Sequence, residues 1–175
     1  MNVIRLLPVG EINGRLLDSL GQALAHEFSA RIEVTETLLD PEFAFNAQRQ
    51  QYYSTEILAQ IQSMRRSHDW RLLGVAAVDL FIPILTFVFG EAQLNNPCAL
   101  VSTYRLRQEF YGLPRDDALL RARLIKEGVH ELGHTLGLVH CADYSCVMSS
   151  AHAVEWIDLK DSTMCPGCRT RGKPA

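Results

Sequence analysis

No stretch of the chain approaches the ~20 consecutive apolar residues that a membrane span needs. Basic residues do not gather either. Nothing longer than short pairs such as Arg65-Arg66 appears, and the formal net charge is −3, so neither a membrane nor nucleic acid is expected as a partner. Internal repeats and low-complexity tracts are missing. The start, Met1-Asn2-Val3-Ile4-Arg5-Leu6-Leu7-Pro8, has too short an apolar stretch for a secretory signal, so the cytoplasm is the expected compartment. Without such a signal, the five cysteines read as thiols or metal ligands rather than disulfides. At 175 residues, 47% hydrophobic and 21% charged, the chain is long enough for a real core. One domain, or one domain with a small appendage, is expected, as a monomer by default.

What is present is one long, strict pattern: His130-Glu131-Leu132-Gly133-His134-Thr135-Leu136-Gly137-Leu138-Val139-His140. Histidines four apart on a helix sit one above the other on the same face, close enough to share a zinc ion. Glu131 can reach a water on that metal and take its proton. Gly137 allows a left-handed residue where the helix stops, so that His140 swings back as third ligand. Three protein ligands leave a fourth position open, as catalytic zinc requires and structural zinc does not. At about 100° per residue, Ile125, Val129, Leu132 and Leu136 fall in a stripe roughly 60° wide, nearly opposite His130 and His134. The stripe should face the core and the imidazoles a cleft.

Taken in order, Val3 to Val9 reads as a buried strand, Asn13 to Phe28 as a helix starting at Asn13, and Arg31 to Thr35 as a half-buried strand. Pro41 to Phe45 is a connection, and a long helical pattern runs from Ala47 to about Arg66. Leu72 to Leu80, Phe87 to Gly90 and Ala99 to Tyr104 read as strands. Pro114-Arg115-Asp116-Asp117 opens the histidine helix, with Asp116 as N-cap. Strands alternating with helices predict an α/β body, a mixed sheet backed by helices.

After His140 the composition changes. Cys141, Cys146, Cys165 and Cys168 form pairs spaced C-x4-C and C-x2-C, which suit tetrahedral thiolate coordination of a second zinc. A tail this small has little core of its own, so a metal would be its main staple. Two other readings stand beside this one: a redox pair at Cys165-Pro166-Gly167-Cys168, or unliganded thiols. A redox pair calls for a strand before it and a helix after it, and the sequence offers neither. Cys98 reads as a small buried hydrophobe.

These residues resemble the metzincin zinc peptidases, through the glycine-spaced histidines and a methionine shortly after, Met148. The closer resemblance is to the archaemetzincin family, in which a cysteine follows the third histidine and a four-cysteine zinc site lies beside the catalytic one. Cys141, Cys146, Met148, Cys165 and Cys168 match that pattern in order, as do the segments Phe87 to Ala92 and Tyr111 to Pro114. The likeness is good from Leu72 to Cys168 and loose before that. It implies a metzincin-like fold in two parts. Residues 1–140 would hold a twisted mixed sheet with backing and active-site helices, and 141–175 a small irregular subdomain with the methionine turn and the cysteine site. Met148 would pack beneath the metal, and the strand near Phe87 to Glu91 would be the cleft edge that pairs with an extended peptide. Some metzincins carry a tyrosine ligand two residues after the methionine; here Ser150 stands there, and the role does not transfer.

The expected function is therefore zinc-dependent hydrolysis of peptide or protein substrates. It uses two zinc ions, one catalytic on His130, His134 and His140 and one structural on the four cysteines, with Glu131 as proton carrier. The alternative is a zinc-stabilised peptide-binding protein with little turnover. A zinc ribbon that binds nucleic acid is disfavoured by the net charge. Tyr104, Tyr111 and Tyr144 are candidates for a second oxyanion donor, without positional support. His26, His68 and His152 lack ligand spacing.

Overall fold

In chain order the elements are β1 (Val3–Val9), α1 (Gly14–Phe28), β2 (Arg31–Val34), β3 (Phe45–Asn46), β4 (Gln51–Tyr53), α2 (Ser54–Ser63), β5 (Arg71–Ala76) and β6 (Leu80–Phe81). Then come β7 (Gly90–Ala92), β8 (Cys98–Ser102), α3 (Asp117–Thr135), α4 (Val154–Leu159) and α5 (Pro166–Arg171). The structure is a computed structural model and describes residues 2–172. Its main sheet has the order β2-β1-β5-β8-β7, with the first four strands parallel and β7 antiparallel on β8.

The central strands read as unbroken apolar runs because both of their faces are covered. Ile4, Leu6, Leu73, Val75, Ala99 and Val101 point to one side and pack with residues of α1 and α3, among them Leu20, Leu24, Val129 and Leu132. Leu7, Val9, Leu72, Cys98 and Leu100 point to the other, against Ile57, Leu58 and Ile61 of α2. Cys98 is fully buried there, as a small hydrophobe should be, and burial pushes its thiol up to about 11. Asn13 caps α1 through Arg15 N–H at 2.9 Å, and Asp116 caps α3 through Leu119 N–H at 2.9 Å, both at the positions the sequence marks.

Three elements differ from the sequence reading. The helix expected from Ala47 begins only at Ser54. Residues 45–53 instead form a short hairpin, turned at Gln50 (φ 54°), whose second strand β4 joins β6 in a separate three-stranded sheet. The Leu72–Leu80 strand breaks after Ala76, and the buried Asp79 takes two bonds from Arg105, at 2.6 and 2.8 Å, and one from Gln51 at 3.0 Å. The strand expected at Phe87–Gly90 lies later, at β7; Val88 makes only an isolated bridge to Leu80.

Helix α3 is also more enclosed than a single stripe implies. Val129 and Leu132 are buried and Ile125 and Leu136 only partly so, while Glu127, Gly128, His130 and Glu131 are buried as well. Gly128 packs on Leu20 and Glu131 on Gly90, while the chain after His140 wraps the end of α3, placing Lys160 beside Glu127 and the Val147 carbonyl on His130. Val147, Met148, Val154, Ile157 and Met164 join the same core as the sheet. That segment has no strand among the described residues and two short helices, α4 and α5.

Candidate metal centre

The end of α3 is built by its glycine. Gly137 has φ 82°, and the chain closes there with Gly137 N–H on the His134 carbonyl at 2.9 Å and Leu138 N–H on the Gly133 carbonyl at 3.2 Å. A Cβ at position 137 would also meet Asn95 Oδ1 at 2.6 Å. The turn brings the Leu138 carbonyl back to His134 Nδ1, 2.7 Å away, and carries His140 to its two partners. The His140 ring centroid lies 5.3 Å from that of His130 and 5.1 Å from that of His134.

The donor chemistry fits a cation. His130 Nδ1 faces the Val147 carbonyl at 2.9 Å, and His134 Nδ1 faces that of Leu138. Carbonyls only accept, so both Nδ1 atoms carry the proton and both Nε2 atoms present a lone pair. Those Nε2 atoms are 3.1 Å apart with no proton to share. Two imidazole ligands on tetrahedral zinc, each about 2.0–2.1 Å from the metal, come about 3.3 Å apart. One ring nitrogen from each of the three histidines lies within 4.8 Å of the others. Burial holds all three imidazoles below their ordinary value of 6.5, His130 well below it, so they stay neutral and able to ligate.

A cleft of about 460 Å³ opens over this face. Ile82, Leu85, Phe87, Val88 and Phe89 line one side, β7 runs along it, and Ser150, Ala151 and His152 close another wall. Glu131 lies in the cleft yet is 6% exposed; burial, with Glu127 nearby, raises its carboxyl well above the ordinary 4.5. It touches Gly90, where a Cβ would sit 2.8 Å from Glu131 Oε1. Glu91, next along β7, accepts from the hydroxyls of Ser54 and Thr55. One turn before Glu131, the buried Glu127 has Oε1 3.0 Å from Lys160 Nζ; the contact is ionic, without hydrogen-bond alignment.

Met148 is fully buried against α3, where a Cβ on Gly133, the residue before His134, would strike its Sδ. The same turn leads into the cysteines. The Sγ atoms of Cys141, Cys146, Cys165 and Cys168 all lie within 4.8 Å of one another, and Cys141 and Cys165 are 3.9 Å apart. That is far from a disulfide and close to the roughly 3.8 Å between thiolates on tetrahedral zinc with ~2.3 Å bonds. Cys146 Sγ accepts from Cys165 N–H at 3.3 Å, and Cys168 Sγ from Arg171 at 3.2 Å. The backbone N–H of Cys168 lowers the Cys165 thiol to about 7, whereas burial raises Cys168 to about 12. A helix, α5, does follow Cys165, contrary to the sequence reading, but no strand precedes it.

Every residue expected as a metal ligand thus falls into one of two clusters that meet at His140-Cys141. The tyrosine candidates do not join them. Tyr104 packs against Phe110, Tyr111 donates to the Arg105 carbonyl at 2.8 Å, and Tyr144 is exposed; none lines the cleft. His26 and His68 are elsewhere, whereas His152 does reach the cleft wall, its Nε2 3.5 Å from Ser150 Oγ. Sequence reasoning missed Gly90, Glu127 and Lys160. Only Glu127 carried a readable signal, its four-residue spacing from Glu131 on a helix.

Comparison with known proteins points to a family of zinc peptidases. Residues 30–173 match the model of peptidase family M54. The archaemetzincin of Methanocaldococcus jannaschii is 40% identical over 165 residues, covering 94% of this chain and 89% of that one. That of Thermococcus kodakarensis is 34% identical over 98% of this chain and 95% of its own. Among solved structures, a zinc-dependent peptidase from Methanocorpusculum labreanum superposes with a TM-score of 0.89 at 28% identity, covering 97% of this chain and all of that one. Archaemetzincin from Archaeoglobus fulgidus, complexed with malonate, superposes with a TM-score of 0.83 at 34% identity, covering 97% and 99%. The mixed α/β fold, the histidine pattern and the relatives agree: the chain belongs to peptidase family M54, the archaemetzincin family of zinc metallopeptidases.

Proposed function

We propose that the chain hydrolyses peptide bonds with a glutamate-assisted zinc mechanism, holding one zinc on His130, His134 and His140 and a second, structural zinc on Cys141, Cys146, Cys165 and Cys168. The observation that carries the reading is the pair of bare Nε2 atoms, 3.1 Å apart, in one cleft with the buried Glu131 carboxylate. Zinc in that position supplies an acidified water, with a pKa of about 7, and polarises the substrate carbonyl.

The protein's own contribution is proton handling and placement. Glu131 accepts the proton of the attacking water and returns it to the leaving amine. Its place supports the role, because the carboxyl is buried in the same cleft as the three histidines, on the helix that carries two of them. Strand β7 ends the main sheet, and Gly90 to Ala92 line the cleft, so its outer edge is available to an extended peptide. The apolar wall from Ile82 to Phe89 keeps water from the reacting bond. The four cysteines brace the segment that delivers His140. The partner is a peptide or protein substrate, not nucleic acid or membrane; the compartment is the cytoplasm, and a monomer is the default state.

The test pairs metal analysis with turnover of a mixed peptide library, with and without chelator, for the wild type and Glu131→Ala. The expected result is chelator-sensitive hydrolysis in the wild type. The variant should keep both metals and lose about 10²–10⁴-fold in turnover. Wild-type turnover in the variant, or metal-loaded wild type that binds peptides without cleaving any, overturns the reading.

A further inference from the structure

Lys160 is 3% exposed, and its ammonium is spent entirely inside the protein. It donates to the Ser149 carbonyl at 3.0 Å and to the Val147 carbonyl at 3.1 Å, and lies 3.0 Å from Glu127 Oε1. The other two carbonyls of the 146–149 turn have backbone partners. Cys146 O accepts Ser149 N–H at 2.9 Å, and Met148 O accepts Cys141 N–H at 2.9 Å. Without Lys160, the Ser149 carbonyl has no donor among the described residues, and there the Val147 carbonyl keeps only His130 Nδ1. The lysine is itself held by α3. Arg123 binds Asp158 through two bonds, 2.8 and 2.7 Å, and Lys126 reaches the Ile157 and Asp158 carbonyls at 3.0 and 3.1 Å. These contacts fix α4, and Lys160 directly follows its last residue. The circuit therefore leaves α3 through Arg123 and Lys126 and returns to it at His130.

We propose that Lys160 is a positioning residue of the histidine centre: by clamping the Val147 and Ser149 carbonyls, it fixes the acceptor that orients the His130 ring. This rests on His130 being a zinc ligand. Buried hydrogen bonds behind a ligating histidine select its tautomer and its ring angle, and with them its affinity for metal. The competing role is narrower. Lys160 could serve only as counter-charge to Glu127, since either group buried alone would be costly. The two roles separate cleanly, because the charge can be removed together with its partner while the carbonyl clamp cannot.

The experiment uses the full chain as wild type, Lys160→Met, and the double variant Glu127→Gln/Lys160→Met, which strands no charge if the single variant fails to fold. Zinc affinity at the histidine centre is measured by chelator competition with the cysteine site loaded. The His130 tautomer is read in the metal-free proteins from long-range proton–nitrogen NMR. The double variant should melt near the wild type yet bind the histidine-centre zinc about 10- to 100-fold more weakly. Its His130 should populate both tautomers, where the wild type holds the Nδ1–H form alone. Wild-type zinc affinity and a single tautomer in the double variant would reduce Lys160 to a counter-charge and overturn the proposal, as would an Nε2–H tautomer in the metal-free wild type. A wild type with no zinc on its histidines would instead overturn the reading of the site on which the proposal rests.

Discussion

Glu131 rests directly against the bare α-carbon of Gly90. A Cβ built at position 90 would lie 2.8 Å from both Cγ and Oε1 of the glutamate and 2.5 Å from the Leu100 carbonyl oxygen. The glycine is there for space, since its φ lies outside the left-handed region that Gly10, Gly112 and Gly137 occupy. Strand β7 and helix α3 close around the carboxylate from two sides, and a methyl group is more than the gap holds.

Gly90→Ala should therefore displace the Glu131 side chain, the proposed general base, without touching either the histidine or the cysteine cluster. The overpacking should cost about 1–3 kcal/mol of stability. Moving a proton carrier by a fraction of an ångström to an ångström should lower turnover by up to about 100-fold, with zinc content unchanged. Gly14→Ala is the control, because a Cβ there meets nothing within 4 Å. Melting curves, metal analysis and peptide turnover check it; equal kinetics for the two variants would show that Glu131 tolerates the methyl.

The burial of Glu131 predicts a pH effect whose sign can be worked out. Its carboxyl is raised well above 4.5 in the folded chain, so above pH 4.5 the unfolded group has lost a proton that the folded group keeps. The folded state binds more protons, and stability falls as pH rises through that window. Glutamine has no such proton. In metal-free protein, Glu131→Gln should gain on the wild type as pH rises from about 5 to 8, by at most about 1.4 kcal/mol per pH unit. Urea melts across that range measure it. A constant difference would mean that the carboxyl ionises in the fold as readily as in the unfolded chain.

Periodicity and capping made much of this readable in advance. His130 and His134 are four apart, Gly137 ends the helix, and Asp116 starts it; each acts within a turn of itself, so the chain records it locally. The hairpin at 45–53 was hidden because strands of two and three residues have no measurable period, and the apolar spacing of Ile57, Leu58 and Ile61 extends plausibly backwards through it. Asp79 interrupts a run of β-formers for a reason held by Arg105 and Gln51, both more than twenty residues distant. Lys160 and Gly90 act only through what they touch, and neither the Val147 carbonyl nor the Glu131 side chain is near them in sequence.

His140 and His152 provide a direct test of which exposed histidine belongs to the metal. Both line the cleft, but only His140 has a ring nitrogen within 4.8 Å of those of His130 and His134. His140→Ala should weaken zinc binding at this centre by more than about 100-fold, beyond the losses typical of residues that merely support a ligand. His152→Ala should leave that affinity as it was. Competition with a zinc-sensitive dye gives both constants, and equal losses would mean that the third ligand has been misassigned.

The last prediction concerns the junction at His140-Cys141, where the two clusters share a strip of backbone. Cys141 N–H binds the Met148 carbonyl at 2.9 Å, and Cys146 Sγ accepts Cys165 N–H at 3.3 Å, so the cysteine cluster holds both the segment that carries His140 and the turn whose Val147 carbonyl faces His130. Glu27 on α1 adds an outside anchor, accepting from Met164 N–H at 3.2 Å and from Arg169 at 3.1 Å. Four thiolates close a zinc site completely, while three imidazoles leave an opening through which a chelator can reach the ion. Mild chelation should therefore remove one zinc per chain first and leave the circular dichroism spectrum nearly unchanged. Loss of the second should be slower and should unfold the segment from Cys141 to Arg171. Cys165→Ser should lower the melting temperature and also weaken the histidine site, although Cys165 lies in the other cluster, because His140 and Met148 lose their brace. Metal stoichiometry followed through a chelator titration, with spectra at each point, decides it. A single zinc per chain, or normal histidine-site affinity and melting temperature in Cys165→Ser, would show that the two clusters act independently.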